Sequence, residues 1–494
     1  MPRQQGPSSS SRSFYHPEPA LRKMMGLRSG ILFLLARLVP SLFGLVTAAV
    51  LTRLLEPAEY GLYALGLSIT FFLALGVFDW LGLSLLRMAP AIKQPDVFFG
   101  TVLACFCALC GLSVAVAALI LVLAGLQNYA FLTTACLVAA FAVAWFELKL
   151  RLQMAELREA DYFWTSAGRG VIAITLVCAV SYFRGTAPLI ILALAASFLA
   201  GSFIRREPRL NFRNLQFDFS ACLTLLRFGV PLSISVGLGA MLVSVDKWLL
   251  QGLSGSEAVG LFSAAAIVAQ TPIVALAGGI GPPAYSMAIQ ALDHRSREAA
   301  SAQLAQNFTV LLGIVVPSAA GIVALSNNLV HLMVGAAYWQ SVILLTPWLS
   351  AAAVFWSLRA FYIDIAFQLA HRTPRLVLTT LVILFANVAL DILLIPKLGQ
   401  LGAAIGTFGA TLVGLGVTAI ATIGVFRLPI PFVDTAKVLA STAIMFLVLR
   451  ELTTFSGVLA LACQIAVGLL IYVSGLIAFN VLGARHVLIQ RLTG

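Results

Sequence analysis

Charge is what this sequence has least of. Only 10% of its 494 residues are Asp, Glu, Lys or Arg, against about 25% in a soluble globular domain, while 61% are hydrophobic and the mean hydropathy is +1.00. Such a chain is an integral membrane protein with no room for a large soluble domain. The seven cysteines are odd in number and lie almost wholly in apolar stretches, which gives no basis for a disulfide framework. Cys105-x-Cys107-x-x-Cys110 has a metal-like spacing, but it sits in an Ala/Val/Leu-rich run without a nearby histidine and reads as small apolar helix residues. The five histidines, His16, His294, His331, His371 and His486, fall outside the depth of any span, so a histidine proton relay is not expected. No Gly-x-x-x-x-Gly-Lys loop is present, and ATP is therefore not the direct drive. No metal and no cofactor are expected.

One span takes about 20 residues, and the apolar runs place 14 transmembrane helices at roughly 29–54, 60–83, 97–124, 129–150, 161–183, 187–204, 221–250, 258–288, 306–325, 341–369, 375–395, 401–426, 436–451 and 457–482. The first residues, 1–28, are Ser/Pro-rich and basic and read as a disordered cytoplasmic tail. The run after them is too long for a signal-peptide core and reads as a retained span. Charge placement tests the count. Of the 31 Lys and Arg residues, 22 fall at inner loops, inner helix ends and tails, five at outer ones, and four within spans. This follows the positive-inside rule with both termini in the cytoplasm. Anionic headgroups at the inner leaflet account for the net charge of +12 without any nucleic acid.

Two stretches repeat a pattern. "RLLEPAEYGLYAL" (53–65) and "WLLQGLSGSEAVGLFSAA" (248–265) each write a double leucine, a short acidic turn, and Gly-Leu-aromatic-small, at Gly61-Leu62-Tyr63-Ala64 and Gly260-Leu261-Phe262-Ser263. They lie at the junctions of helices 1/2 and 7/8. Six helices is an even number, so both copies enter the membrane in the same direction, as in two parallel halves related by an axis along the membrane normal. Arg37 with Pro40, and Arg227 with Pro231, extend the repeat upstream, and a proline inside each helix permits a bend. The expected organisation is an all-α membrane fold: a six-helix bundle at 29–204, a basic cytoplasmic linker at 205–220, a second six-helix bundle at 221–426, two additional helices within 436–482, and a cytoplasmic tail at 483–494. Two lobes rocking about a central cavity is a transporter architecture.

Together with "AVLTRLLEPAEYGLYALGLSI", the stretches "SVDKWLLQGLSGSEAVGLFSAAAIVA", "LMVGAAYWQSVILL" and "NVALDILLIPKLGQLGAAIGT" resemble the polysaccharide biosynthesis (Wzx-type) flippases of the multidrug/oligosaccharidyl-lipid/polysaccharide exporter superfamily, over roughly residues 30 to 480. The resemblance implies two bundles around a central cavity in a bacterial inner membrane. It implies a cargo of polyprenyl-pyrophosphate-linked oligosaccharide, passed to the outer leaflet for lipopolysaccharide or exopolysaccharide synthesis, with membrane lipids and a polysaccharide polymerase or export proteins as partners, and no enzymatic step.

Charged side chains within spans face protein or an aqueous cavity. Arg37, Arg169, Arg227 and Arg359 lie roughly 9–15 Å from their inner helix ends at 1.5 Å per residue. They would ring the inner half of the membrane, where guanidinium forks match pyrophosphate oxygens. Arg37 shares a face with Ser41, Gly44 and Ala48. Arg169 has Thr165 and Ser166 beside it, and Arg359 has Trp356 and Tyr362, aromatics able to stack on sugar rings. Against this stands snorkelling to the headgroups, strongest for the shallow Arg227. Among the acids, Asp79 and Asp364 lie near inner helix ends and Asp246 and Asp391 near outer ones. Ion coupling through them is open, with a local Asp246-Lys247 charge pair as the alternative. Export of negative charge from an inside-negative cell is itself downhill by about 2.3 kcal/mol per charge per 100 mV. A membrane glycan polymerase or ligase would need a long outer loop, and the outer loops here are short. A lipid II flippase, or a drug or metabolite antiporter of the same superfamily, remains an alternative.

The topology is testable. In a cysteine-free background, a cysteine at Ser254 should be labelled by an impermeant reagent from outside and one at Asn214 should be protected; the reverse pattern contradicts the 14-helix arrangement.

Overall fold

The computed structural model describes residues 43–89, 95–183, 185–205, 210, 216–294, 296–370, 372–426, 428–483 and 485. The expected N-terminal tail, most of the C-terminal tail and of the linker, and the first part of helix 1 with Arg37 and Pro40 lie outside these residues. Among the described residues every regular element is helical. Twelve helices are long and apolar enough to cross a membrane, and two shorter apolar ones, Phe43–Leu54 and Ala187–Phe203, accompany them. The helices are α1 (Phe43–Leu54), α2 (Pro57–Met88), α3 (Pro95–Leu123), α4 (Gln127–Ala155), α5 (Glu159–Tyr182), α6 (Ala187–Phe203), α7 and α8 (below), α9 (Arg297–Ala324), α10 (Ala336–Leu369), α11 (Thr373–Leu398), α12 (Gln400–Thr422), α13 (Phe432–Glu451) and α14 (Val458–Ala478).

Helix 7 of the sequence pattern and the first part of helix 8 follow one another without a loop over Phe219–Ala269, 51 residues long. At 1.5 Å per residue a straight helix of that length would run to roughly 77 Å, far beyond a bilayer core of about 30 Å. Gly255 breaks it with φ 84° and ψ 177°, a conformation that side chains rarely adopt. We take α7 as 219–254 and α8 as 256–294, the latter stepping at Gln270 and containing Pro282 and Pro283. Local chemistry starts the helices. The Asp218 carboxylate accepts from Ser220 N and Ala221 N, both at 3.1 Å, at the head of α7. The Ser296 hydroxyl does the same for Ala299 N at the head of α9. At the other end of α6, the buried Lys149 ammonium donates to the carbonyls of Ser202 and Arg205, which stand where a helix leaves its last acceptors open.

Packing forms two groups. In the first, α4 and α5 pack on α6 and α2 packs on α4; in the second, α11 and α10 pack on α12, and α8 packs on α9. The 219–269 stretch touches both. α13 and α14 attach to the second group through α9. Tyr472 Oη donates to Gly313 O at 2.7 Å, and Asn328 Nδ2, just beyond α9, donates to Gln464 Oε1 at 2.9 Å. Such bonds are the means by which polar groups at membrane depth find partners.

The repeated motif is where the groups meet. A Cβ on Gly61 would run into Ser256 O and Gly260 N, and a Cβ on Gly260 into Pro57 O and Gly61 N. Ser256 stands 199 residues after Pro57, as Gly260 does after Gly61, so the contact is reciprocal, as a local two-fold axis requires. Beside it, Tyr60 is fully buried edge-on against Tyr338 at 5.8 Å, Tyr338 Oη donates to Leu55 O at 3.0 Å, and Arg53 donates to Leu332 O.

Any side chain at this crossing must push two backbones apart. Gly260→Val should lower the melting temperature in detergent and the membrane abundance, since overpacking costs about 1–3 kcal/mol or more. Gly111→Val, where a Cβ meets nothing within 4 Å, should leave both unchanged. Equal effects at the two positions would contradict the crossing.

Candidate functional site

Under the crossing lies a cavity of about 890 Å³ between the two groups. On α7, Ser235, Gly239, Val243 and Lys247 line it at a spacing of four, one face of a helix. Gly44 and Ala48 of α1, Ser68 and Leu75 of α2, Ser263 of α8, and Trp356 and Thr380 of α10 and α11 complete much of the wall.

Two of the four expected arginines reach it. Arg169 on α5 and Arg359 on α10 come from opposite groups. Each lies ten residues from the helix end it shares a side with, Glu159 or Leu369, which is roughly 15 Å at 1.5 Å per residue. Arg169 is held over Phe198, with Cζ 4.4 Å from the ring centroid, and near Phe146 at 5.9 Å, a cation–π arrangement that fixes a guanidinium without neutralising it. Arg359 is 7% exposed. Its Nη2 donates to Thr380 Oγ1 at 3.1 Å and lies 3.4 Å from Asp364 Oδ2. Trp356 and Asp364 line the same cavity.

Arg227 and Tyr362 stand elsewhere. Arg227 is exposed and not part of the wall. The neighbouring Leu225 and Gly229 are buried, and a Cβ on Gly229 would meet Trp80 O, so the residue between them points the opposite way. Tyr362 faces a second cavity of about 730 Å³ lined by apolar residues of α9, α10, α12 and the segment after it. Its ring packs on Phe308 at 4.8 Å and its hydroxyl donates to Pro429 O at 2.5 Å. Arg37 lies outside the described residues.

Of the acids, Asp79 accepts from Arg151 at 2.7 Å behind the cavity wall, with Glu147 of α4 placed among Asp79, Arg151 and Arg169. Asp246 and Asp391 meet. Thr407 Oγ1 donates to Asp246 Oδ2 at 3.0 Å, Asp391 and Asn387 adjoin the same carboxylate, and a Cβ on Gly406 would strike Asp391. Asp391 is fully buried, and both its oxygens, Asp246 Oδ1 and Asn387 Nδ2 have no hydrogen-bond partner among the described residues. Two facing carboxylates that are both ionised repel unless a proton or a cation sits between them. Sequence reasoning passed over two residues. Lys247 was paired with its neighbour Asp246 at a helix end, yet it lines the cavity; its four-residue spacing from Gly239 and Val243 was the available signal. Glu147 sits beside Lys149 and Arg151 at the inner end of its helix, where it read as part of a charged helix end.

Solved membrane proteins share this architecture. The lipid II flippase MurJ in an inward closed conformation is similar over 91% of this chain and 99% of that chain, with a TM-score of 0.73 at 16% identity. An inward-facing multidrug resistance MATE family transporter of the MOP superfamily aligns over 79% and 97%, with a TM-score of 0.58 at 15% identity. A MOP superfamily transporter from Pyrococcus furiosus Vc1 aligns over 81% and 95%, with a TM-score of 0.53 at 15% identity. At these identities the likeness speaks for the fold. No curated protein matches the chain. A model of the polysaccharide biosynthesis protein family matches residues 50–343, more than half of the sequence, and the chain belongs to that family.

Proposed function

We propose that this protein is a flippase that moves polyprenyl-pyrophosphate-linked oligosaccharide from the inner to the outer leaflet of a bacterial cytoplasmic membrane by alternating access, in the service of surface polysaccharide or exopolysaccharide synthesis. The observation that carries the reading is the pair of guanidiniums, Arg169 and Arg359, brought to one cavity and similar depth from opposite helix groups. A pyrophosphate spanning them is gripped by both groups at once, and planar forks suit its oxygens. Lys247, nearer the Gly61–Gly260 crossing, offers a further positive station on the way out. Arg37, which lies outside the described residues, joins the proposal by its sequence spacing of seven from the cavity-lining Gly44. Trp356 supplies an apolar ring surface for a sugar. Both termini and the linker are cytoplasmic in this reading, and no covalent step is involved.

Membrane potential drives the anion outward at about 2.3 kcal/mol per charge per 100 mV. Asp246 and Asp391 add an ion-coupling element: a shared proton or a sodium ion between them, with Asn387 and Thr407 as further oxygen ligands, ties the packing of α7 to α11 and α12. A lipid II flippase is the second reading, favoured by the TM-score of 0.73 over nearly all of that chain. It keeps the same polyprenyl-pyrophosphate end and differs in the sugar.

Two outcomes test this. Arg169→Ala and Arg359→Ala should leave abundance and detergent melting near parental while export stops and lipid-linked oligosaccharide accumulates inside. Lys at either position should retain more activity than Ala, and Glu none, because an acid adds repulsion to an anion. Parental surface polysaccharide from both alanine variants in a flippase-deficient strain would refute the site. In proteoliposomes, Asp391→Asn should abolish any response to an imposed proton or sodium gradient and spare the response to membrane potential; a retained gradient response would remove the carboxylate pair from the mechanism.

A further inference from the structure

Arg359 and Asp364 are five residues apart on α10. In a regular α-helix, five residues turn by roughly 500°, which leaves the two side chains about 140° apart around the axis. Residues Arg359–Ile363 instead form a single π turn, in which Asp364 N donates to Arg359 O at 2.9 Å. The wider turn swings the carboxylate onto the guanidinium's face. Such turns recur at functional sites because the extra residue strains the helix and is kept for a purpose.

The pair so made is incomplete. Charge-assisted N–H···O bonds close to about 2.7–2.9 Å, as Arg151 does on Asp79 at 2.7 Å, but Arg359 Nη2 stays 3.4 Å from Asp364 Oδ2 and is shared with Thr380. Both side chains are 9% exposed. Arg359 Nε and Asp364 Oδ1 are buried without any hydrogen-bond partner among the described residues. A buried ion pair serves stability only when its spare donors and acceptors are satisfied, and this one, in the wall of the central cavity, leaves them open.

We propose that Asp364 is the specificity-determining residue of the cavity: a tethered carboxylate that an incoming headgroup must displace from Arg359. The inference rests on the cargo reading above. A phosphodiester headgroup of bulk lipid carries one negative charge, as the carboxylate does, so exchanging one for the other gains little. A pyrophosphate brings at least two charges and more acceptor oxygens, enough to take Nε and Nη2 together and release Asp364. The carboxylate thus acts against the abundant wrong ligand as well as yielding to the right one, which is how discrimination between similar anions is built.

The test uses the purified full-length protein in detergent, with farnesyl pyrophosphate and a short-chain phosphatidylglycerol as probes. Asp364→Asn should strengthen phosphatidylglycerol binding by about tenfold, the scale of one hydrogen bond to a charged group, and improve pyrophosphate binding less, so that the ratio of the two dissociation constants collapses. Asp364→Ser, which is smaller and also neutral, should collapse it too and covers the case in which the asparagine variant is poorly folded. Arg359→Gln should weaken pyrophosphate binding. An unchanged ratio in the folded Asp364 variant, with pyrophosphate binding weakened in Arg359→Gln, overturns the specificity role and leaves the cargo site standing. Undiminished pyrophosphate binding by Arg359→Gln overturns the cargo site itself.

Discussion

The reciprocal contact of Gly61 with Ser256 and of Gly260 with Pro57 is the constraint on which the rest of the structure depends. Two helices approach so closely there that backbone meets backbone, and only glycine leaves the space. Because the contact repeats itself under exchange of the two copies, it pins a local two-fold relation between the helix groups. Closing the bundle at that end leaves the space between the groups below it as the cavity. Tyr60 on Tyr338 and the Tyr338 bond to Leu55 bind the α1–α2 turn to the start of α10, so the closure spans both groups.

Below that closure, polar side chains fall into two kinds. Lys149 on the end of α6 and Asn328 with Gln464 are closed on themselves and hold helices together. Arg169, Arg359, Lys247 and Asp364 line the cavity, and Asp246 with Asp391 keeps oxygens without partners. A buried polar group without a partner is expensive, and a cargo or ion that met these groups would remove that cost. Cargo and ion coupling occupy different places in this arrangement. The guanidiniums stand in the shared cavity, while the carboxylate pair lies among α7, α11 and α12, where its occupancy alters how helices pack beside the cavity.

Much of the architecture was readable from hydropathy alone, because each run long enough to span has to be a helix in lipid. Composition and the even spacing of the Gly-Leu-aromatic-small copies carried the helical class and the parallel repeat; that the copies touch each other was not visible in their spacing. Side-chain direction was the weaker part. A helix apolar on every side has no stripe to set its phase, so Arg227 was assigned to the cavity by depth and Tyr362 by its nearness to Arg359 in sequence, and neither fixes azimuth. For Tyr362 the π turn at Arg359–Ile363 also changes the phase after Arg359, a shift without a sequence signature. Lys247 was read with its neighbour, although consecutive helical residues point about 100° apart, which sends Asp246 to Thr407 and Lys247 to the cavity.

In the proposed mechanism the pyrophosphate-linked cargo travels through the space between the two groups. Photocrosslinking in native membranes addresses it directly, with p-benzoylphenylalanine at Gly239 on the cavity face of α7 and at Leu112 on the exposed face of α3. A lipid-linked oligosaccharide adduct is expected from position 239 and none from 112. An adduct from 112 with none from 239 would mean that the cargo passes along the outside of the protein.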